Sequence, residues 1–433
     1  MKSIKALHFC PVKLGLALPV AIFYKSGIQV GIFDNKIKSD TPEKYELLKK
    51  NKEYELFYKD TMSSELIKIH DVFNLVDGVE SISEYFKSEI LIITIAGIDE
   101  AREAIAYTIR EIVKKREKEK KYTLIIACEN GHRVSSLYKN KVLRDDESIY
   151  TFFFDCIVDR VVSYLDTKKS EIIINTESFG LWEIFLKESE MTGIPAINKM
   201  IEYLKKGCDA LKIEIKFIDD QYYESYFIKK TYCVNGIHYA LSMIQEYIWR
   251  EEIGDDRKYL HELLDDPDLM EFTLNIIGEI REAAKREMRF LSEDNLDAGI
   301  YEELDEYFNK FLIRIKYNED TRSRIFKNLF QFDEVYRKLH ENIEEYSQKE
   351  IIAKLNLNDF EVKFHDRIIS PIKSLRRQKR EQTVNLLDTN YISNILSLES
   401  LTLASVCVLG KVTERVHDII SMLEEQERIV RSS

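Results

Sequence analysis

Glycine and proline are scarce in this chain, 14 and 6 of 433 residues, against an ordinary glycine share of about 7%. Few tight turns and long regular elements follow. The six cysteines (Cys10, Cys128, Cys156, Cys208, Cys233 and Cys407) contain no C-x-x-C pair. That excludes the usual zinc spacings and suits reduced, mostly buried thiols in a cytoplasmic protein. A net basic footprint is also missing. The formal charge of −12 argues against non-specific nucleic-acid binding. The apolar run 14–24 behind Lys2 and Lys5 imitates a targeting signal, yet it is too short to span a bilayer. A strand pattern follows at once, so the run reads as the first helix of the fold.

What is present is enough apolar material, 45% of residues, for two substantial cores and hence two domains. Short β-branched runs occur at 6–9, 28–33, 90–95 ("ILIITI"), 123–127 ("TLIIA") and 171–175 ("EIIIN"). Their near-continuous apolar character predicts parallel strands covered on both faces. Helical patterns separate several of them, notably 99–118, which predicts a doubly wound sheet. After about residue 225 helical periodicity dominates to residue 427. The chain therefore divides into an α/β domain over 1–225 and an all-α domain over 226–433.

Two stretches carry chemistry. The first is "CPVKLG" at 10–15, between the first strand and the first helix, where a dinucleotide-binding turn would carry G-x-G-x-x-G. The first glycine of that fingerprint makes a tight turn and the second lets backbone approach a pyrophosphate. Cys10 and Val12 place Cβ atoms at both positions, and Pro11 removes an N–H and restricts Cys10. Gly15, which permits close helix–strand packing, remains. Asp34 ends the second strand, where an acid can bind ribose hydroxyls and favours NAD over NADP; it also reads as a turn-forming Asp. Pro19 inside the first helix predicts a kink or a shifted start.

The second stretch is "KTYCVNGIH" at 230–238. At about 100° per residue Asn235 and His238 fall roughly 60° apart, with Lys230 within about 140° of both. Taken alone the trio reads first as a helix start with a solvated lysine, a cap-proximal asparagine and a satisfied histidine. It also reads as an alcohol-oxidising site. A half-buried lysine can take a hydroxyl proton, an asparagine amide can donate to an oxyanion, and a histidine can orient the substrate oxygen.

With the preceding "FIDDQYYESYFIK", this trio resembles the mannitol-1-phosphate dehydrogenase branch of the long-chain polyol dehydrogenases. That family carries lysine, four residues, asparagine, two residues, histidine. Further pieces follow in the family's order over roughly residues 1–245: "ALHF", "ITIAG" at 93–97, "ACEN" at 127–130, "VDRVV" at 158–162 and "ESFGLW" at 177–182. The last is similar to the family's edge strand. The resemblance implies a Rossmann-like doubly wound parallel sheet followed by a helical domain, with catalytic residues in the cleft between them. It implies Lys230 as general base, Asn130 and Asn235 as oxyanion donors and His238 as the substrate-orienting group. Asp159 would lie near the substrate, and Gly15, Asp34, Gly97 and Glu129 near NAD. No metal is implied.

The resemblance thus points to an NAD-dependent polyol or polyol-phosphate dehydrogenase, cytoplasmic, acting on a small molecule as a monomer or small homo-oligomer, with no nucleic-acid or membrane partner. The altered loop at 10–15 supports another reading, an inactive relative acting as a binding or regulatory module. The basic run 373–380 reads as a phosphate clamp or as a solvated helix face.

Overall fold

A computed structural model describes residues 3–10, 13–34, 42–74, 78–96, 102–129, 131–144, 148–166, 171–238, 259–265 and 299–315, with single positions between 241 and 288. The strands are β1 (Ile4–Phe9), β2 (Gln29–Asp34), β3 (Glu53–Tyr58), β4 (Ser63–Lys68), β5 (Asp71–Asn74), β6 (Ile90–Ile95) and β7 (Tyr122–Ala127). They continue as β8 (Thr151–Phe154), β9 (Cys156–Asp159), β10 (Val162–Asp166), β11 (Ile173–Thr176), β12 (Leu181–Leu186) and β13 (Glu214–Asp219). The chain forms two compact units, Met1–Phe227 and Ile228–Ser433.

The main sheet of the first unit runs β5-β2-β1-β6-β7-β8, and every neighbouring pair is parallel. This order, which turns back after β1, is that of a Rossmann fold. Side chains alternate between the two faces. Ala6, Val30, Ile92, Leu124 and Ile126 meet the first helix and the helix Pro195–Leu211 on one side. Leu7, Phe9, Leu91, Ile93 and Ile125 meet the helices Arg102–Lys118 and Val134–Leu143 on the other. Both faces are covered, which is why these strands read as unbroken apolar runs.

The run at 171–175 departs from expectation. Its strand, β11, lies in a separate mixed sheet, β10-β11-β3-β4, antiparallel to β10 and parallel to β3. The "ESFGLW" stretch leads into β12, a fully buried strand central to β13-β12-β9 rather than an edge.

Pro19 shapes the first helix as its lost donor demands. The segment is α-helical at Lys13–Gly15, π-helical at Leu16–Val20 and α-helical again at Ala21–Ser26. A proline inside a helix removes one intrahelical bond and pushes on the preceding turn, and widening to a π turn accommodates it. Carbonyls there find outside donors: Tyr54 Oη donates to Leu16 O at 2.6 Å and Arg160 Nη1 to Ala17 O at 2.7 Å. In the second unit the named elements are helical, including Glu262–Asp265 and Gly299–Ile315. Among the described residues no helix is long and apolar enough to cross a membrane.

Candidate active site

The strand order reverses between β1 and β6, and in open α/β sheets ligands bind outside the carboxyl ends of the strands at such a point. Cys10 leaves β1 there with φ 56°, a left-handed conformation that disfavours an L side chain. Its N–H donates to Phe33 O at 2.9 Å. The turn that glycine makes in the fingerprint is thus made here by a cysteine. Pro11, Val12 and Gly97 lie outside the described residues.

Gly15 remains for a local reason. A Cβ on it would stand 2.1 Å from His8 Nε2 and 3.2 Å from the Ala96 Cβ. His8 is fully buried, its Nδ1 lies 2.8 Å from Thr94 Oγ1, and its Nε2 has no hydrogen-bond partner among the described residues. Burial, then the charge of Lys44, lowers its pKa to about 3. Asp34 ends β2 with its backbone paired to Asn74; its side chain lies outside the description.

At the carboxyl end of β7, Glu129 is buried and accepts from Tyr138 Oη at 3.3 Å. Asn130 lies outside the described residues. Asp159 ends β9, buried and in register with Leu181. Its neighbour Arg160, also buried, spends its guanidinium on Ala17 O, Glu177 O and Thr176 Oγ1.

Residues that the sequence reading passed over gather next to this strand end. Arg133 Nη1 reaches Asp220 at 2.8 Å and Asp155 at 3.5 Å, and its Nε reaches Glu224 at 3.1 Å. Its guanidinium lies over the Tyr223 ring, 4.3 Å from the centroid. His132 Nε2 stands 2.9 Å from Glu224 Oε2, with its ring edge-on to Tyr223 and Phe227. The His132 hydrogen bond, followed by the charges of His132 and Arg133, holds the Glu224 carboxyl below the usual range against the opposing effect of burial. The stretch 130–132 reads as a turn in sequence. Its partners lie about ninety positions away, and only the fold joins them.

The second unit opens with the lysine–asparagine–histidine trio. The helix Tyr223–Lys230 passes into a π-helical segment, Thr231–Gly236. In an α-helix residues five apart diverge by about 140°. In a π turn the wider i→i+5 ring advances each residue less and brings them nearer one line. Lys230 and Asn235 are five apart, so the π segment turns them closer than the α-helical spacing implied. Lys230 and His238 are buried and Asn235 half-buried. The helix Gly299–Ile315 lays Glu303, Tyr307 and Phe311, spaced by four, against this segment. Glu303 lies 3.8 Å from Lys229 Nζ, the Tyr307 ring centre lies 5.0 Å from it, and Phe311 meets His238 edge-on at 5.2 Å. Among the described residues no cluster of histidine, cysteine and carboxylates could hold a metal. The run 373–380 and Cys407 lie outside the described residues.

Residues 5–198 match the family described as the mannitol dehydrogenase Rossmann domain. The mannitol-1-phosphate 5-dehydrogenase of Mycoplasma mycoides is 24% identical over 229 residues, which cover 50% of this chain and 62% of that enzyme. The match therefore spans less than two thirds of that relative's length. The enzyme of the same name from Mycoplasma pneumoniae is 20% identical over 297 residues, 68% of this chain and 69% of that one. Among solved structures, apo yersinopine dehydrogenase aligns at 10% identity and a TM-score of 0.44, over 87% of this chain and 99% of that chain.

Proposed function

From a chain whose residues 5–198 are a divergent mannitol dehydrogenase Rossmann domain, we propose a nicotinamide-dependent dehydrogenase that oxidises a polyol or polyol phosphate, with NAD as cofactor. The observation that carries the reading is the π turn beneath Lys230, Asn235 and His238. It supports one polar face by bringing Lys230 nearer to Asn235, about 140° away on an α-helix, and π turns inside helices are frequent at functional sites.

In this reading Lys230 Nζ takes the hydroxyl proton while the carbinol C–H bond breaks and the C–O bond becomes a carbonyl. A nicotinamide, when bound, supplies the hydride acceptor. Asn235 and Asn130 donate to the oxygen as it gains negative charge, His238 orients that oxygen, and Asp159 lies near the substrate. The cofactor end falls to Gly15, Gly97, Glu129 and Asp34, the last on the ribose hydroxyls. The turn at Cys10 and the close helix approach at Gly15 fit a dinucleotide. The division of labour near residue 225 belongs to the same proposal, as does action on a small molecule in the cytoplasm.

Steady-state oxidation of mannitol 1-phosphate with NAD tests the roles. Lys230→Ala should lose activity by orders of magnitude, and Asn235→Ala should lose about 10²–10³ as an absent oxyanion donor. Full turnover in Lys230→Ala would remove the lysine from the mechanism. The second reading, a binding module without turnover, draws on Cys10, Pro11 and Val12. A flat NADH and NADPH titration of the wild type would favour it.

A further inference from the structure

We infer that Arg133 is a positioning residue for this reaction. It clasps the loop after β7 onto the first turn of the helix that begins at Tyr223, and so fixes the turn that follows Glu129. The inference rests on the dehydrogenase reading for its consequence, though its geometry stands on the first unit alone.

The observations converge on one guanidinium. Arg133 sits at φ 48°, left-handed, where an arginine has no intrinsic reason to be. Its carbonyl accepts the first bond of the helix Val134–Leu143, from Leu137 N at 3.1 Å. Its own N–H donates out of the helix to Tyr223 Oη at 2.8 Å. The side chain then covers the ring of that same tyrosine and forks between Asp220 and Glu224. One residue thus grips the other segment by backbone, by cation–π contact and by two ion pairs.

Neighbouring groups tighten the arrangement. Asp155 faces Arg133 at 3.5 Å and also receives Ser136 N at 3.0 Å and Ser136 Oγ at 2.6 Å. It thereby caps the helix that Arg133 itself leaves without a side-chain cap. Ser135 Oγ accepts from Ala127 N at 2.8 Å, which ties the same turn to the end of β7. His132 adds a second contact to Glu224. An isolated surface pair would need none of this. The grip instead holds the turn to which the proposed chemistry assigns Glu129 and Asn130.

Kinetics and hydrogen–deuterium exchange on the full chain test this together, using Arg133→Met and Arg133→Lys, mannitol 1-phosphate and NAD. Arg133→Met should lower kcat at least tenfold with KM for NAD within about twofold. Exchange of amides 131–136 should rise at least tenfold while the helix Pro195–Leu211 stays protected. Arg133→Lys should recover part of both, because an ammonium keeps the charge but lacks the planar guanidinium that covers the Tyr223 ring and meets both carboxylates in fixed geometry. Unchanged exchange in Arg133→Met would overturn the clasp, and unchanged kcat with faster exchange would overturn its role in positioning. A wild type inactive with every polyol phosphate would overturn the dehydrogenase reading instead, and the exchange measurement would still decide whether Arg133 holds the loop.

Discussion

At the scale of single residues, His8 gives a physical reason for the glycine that the fingerprint assigns to close helix–strand packing. Gly15 has no room for a Cβ because the imidazole lies against it, so part of the motif is kept by packing. The same imidazole sets a pH dependence. Unfolded, His8 titrates near 6.5; folded, burial and then Lys44 hold it neutral to about pH 3. Between those values the unfolded state binds a proton that the folded state refuses. Stability present above pH 6.5 is therefore lost as pH falls, by about 1.4 kcal/mol per pH unit from this group. Urea unfolding of wild type and His8→Gln from pH 7 to 4 should show a shallower acid limb in the variant. Parallel limbs would mean the ring is protonated in the folded state. Cys10 is a residue-scale oddity of another kind. Its left-handed backbone costs an L residue about 1–2 kcal/mol, and the fold keeps the glycine turn without the glycine.

At the scale of elements, the helix Pro195–Leu211 packs on the first helix at a crossing that Gly207 makes possible. A Cβ on Gly207 would stand 2.3 Å from the Ile22 carbonyl oxygen and 2.4 Å from Ser26 Oγ. Backbone cannot yield as a side chain would, so Gly207→Ala should destabilise by about 1–3 kcal/mol. Chemical denaturation measures it, and an unchanged midpoint would show that the helices can separate freely. Elements also differ in how legible they are. The runs at 6–9, 28–33, 90–95 and 123–127 stand out because both faces are covered, so nearly every position is apolar. β3 alternates buried Tyr54, Leu56 and Tyr58 with half-buried positions and lacks that signature. β13 is half-buried throughout and offers no periodicity. The π turn at Pro19 follows from its missing N–H, whereas the π turn at Thr231–Gly236 contains no proline and leaves no mark in a 3.6-residue pattern. Lys230, Asn235 and His238 are legible as one short motif. Arg133, Asp155, Asp220 and Glu224 are ordinary charges until the fold brings them together.

At the scale of the whole molecule, the main sheet has the Rossmann order and reverses between β1 and β6, the point at which open α/β sheets bind ligands, and residues 5–198 match the mannitol dehydrogenase Rossmann domain. In sequence, Cys10, Pro11 and Val12 after β1 depart from the glycine fingerprint. In the proposed function the chain still admits a nicotinamide dinucleotide there, in service of a reaction that needs Lys230. NADH binding is its most direct test. Titration into the full-length wild type, followed by calorimetry and by energy transfer from the tryptophans to the nicotinamide, should give a saturable one-site curve. Lys230→Ala should bind NADH within about twofold of wild type while failing to turn over mannitol 1-phosphate. A wild type that gives no saturable signal with either NADH or NADPH would contradict the account.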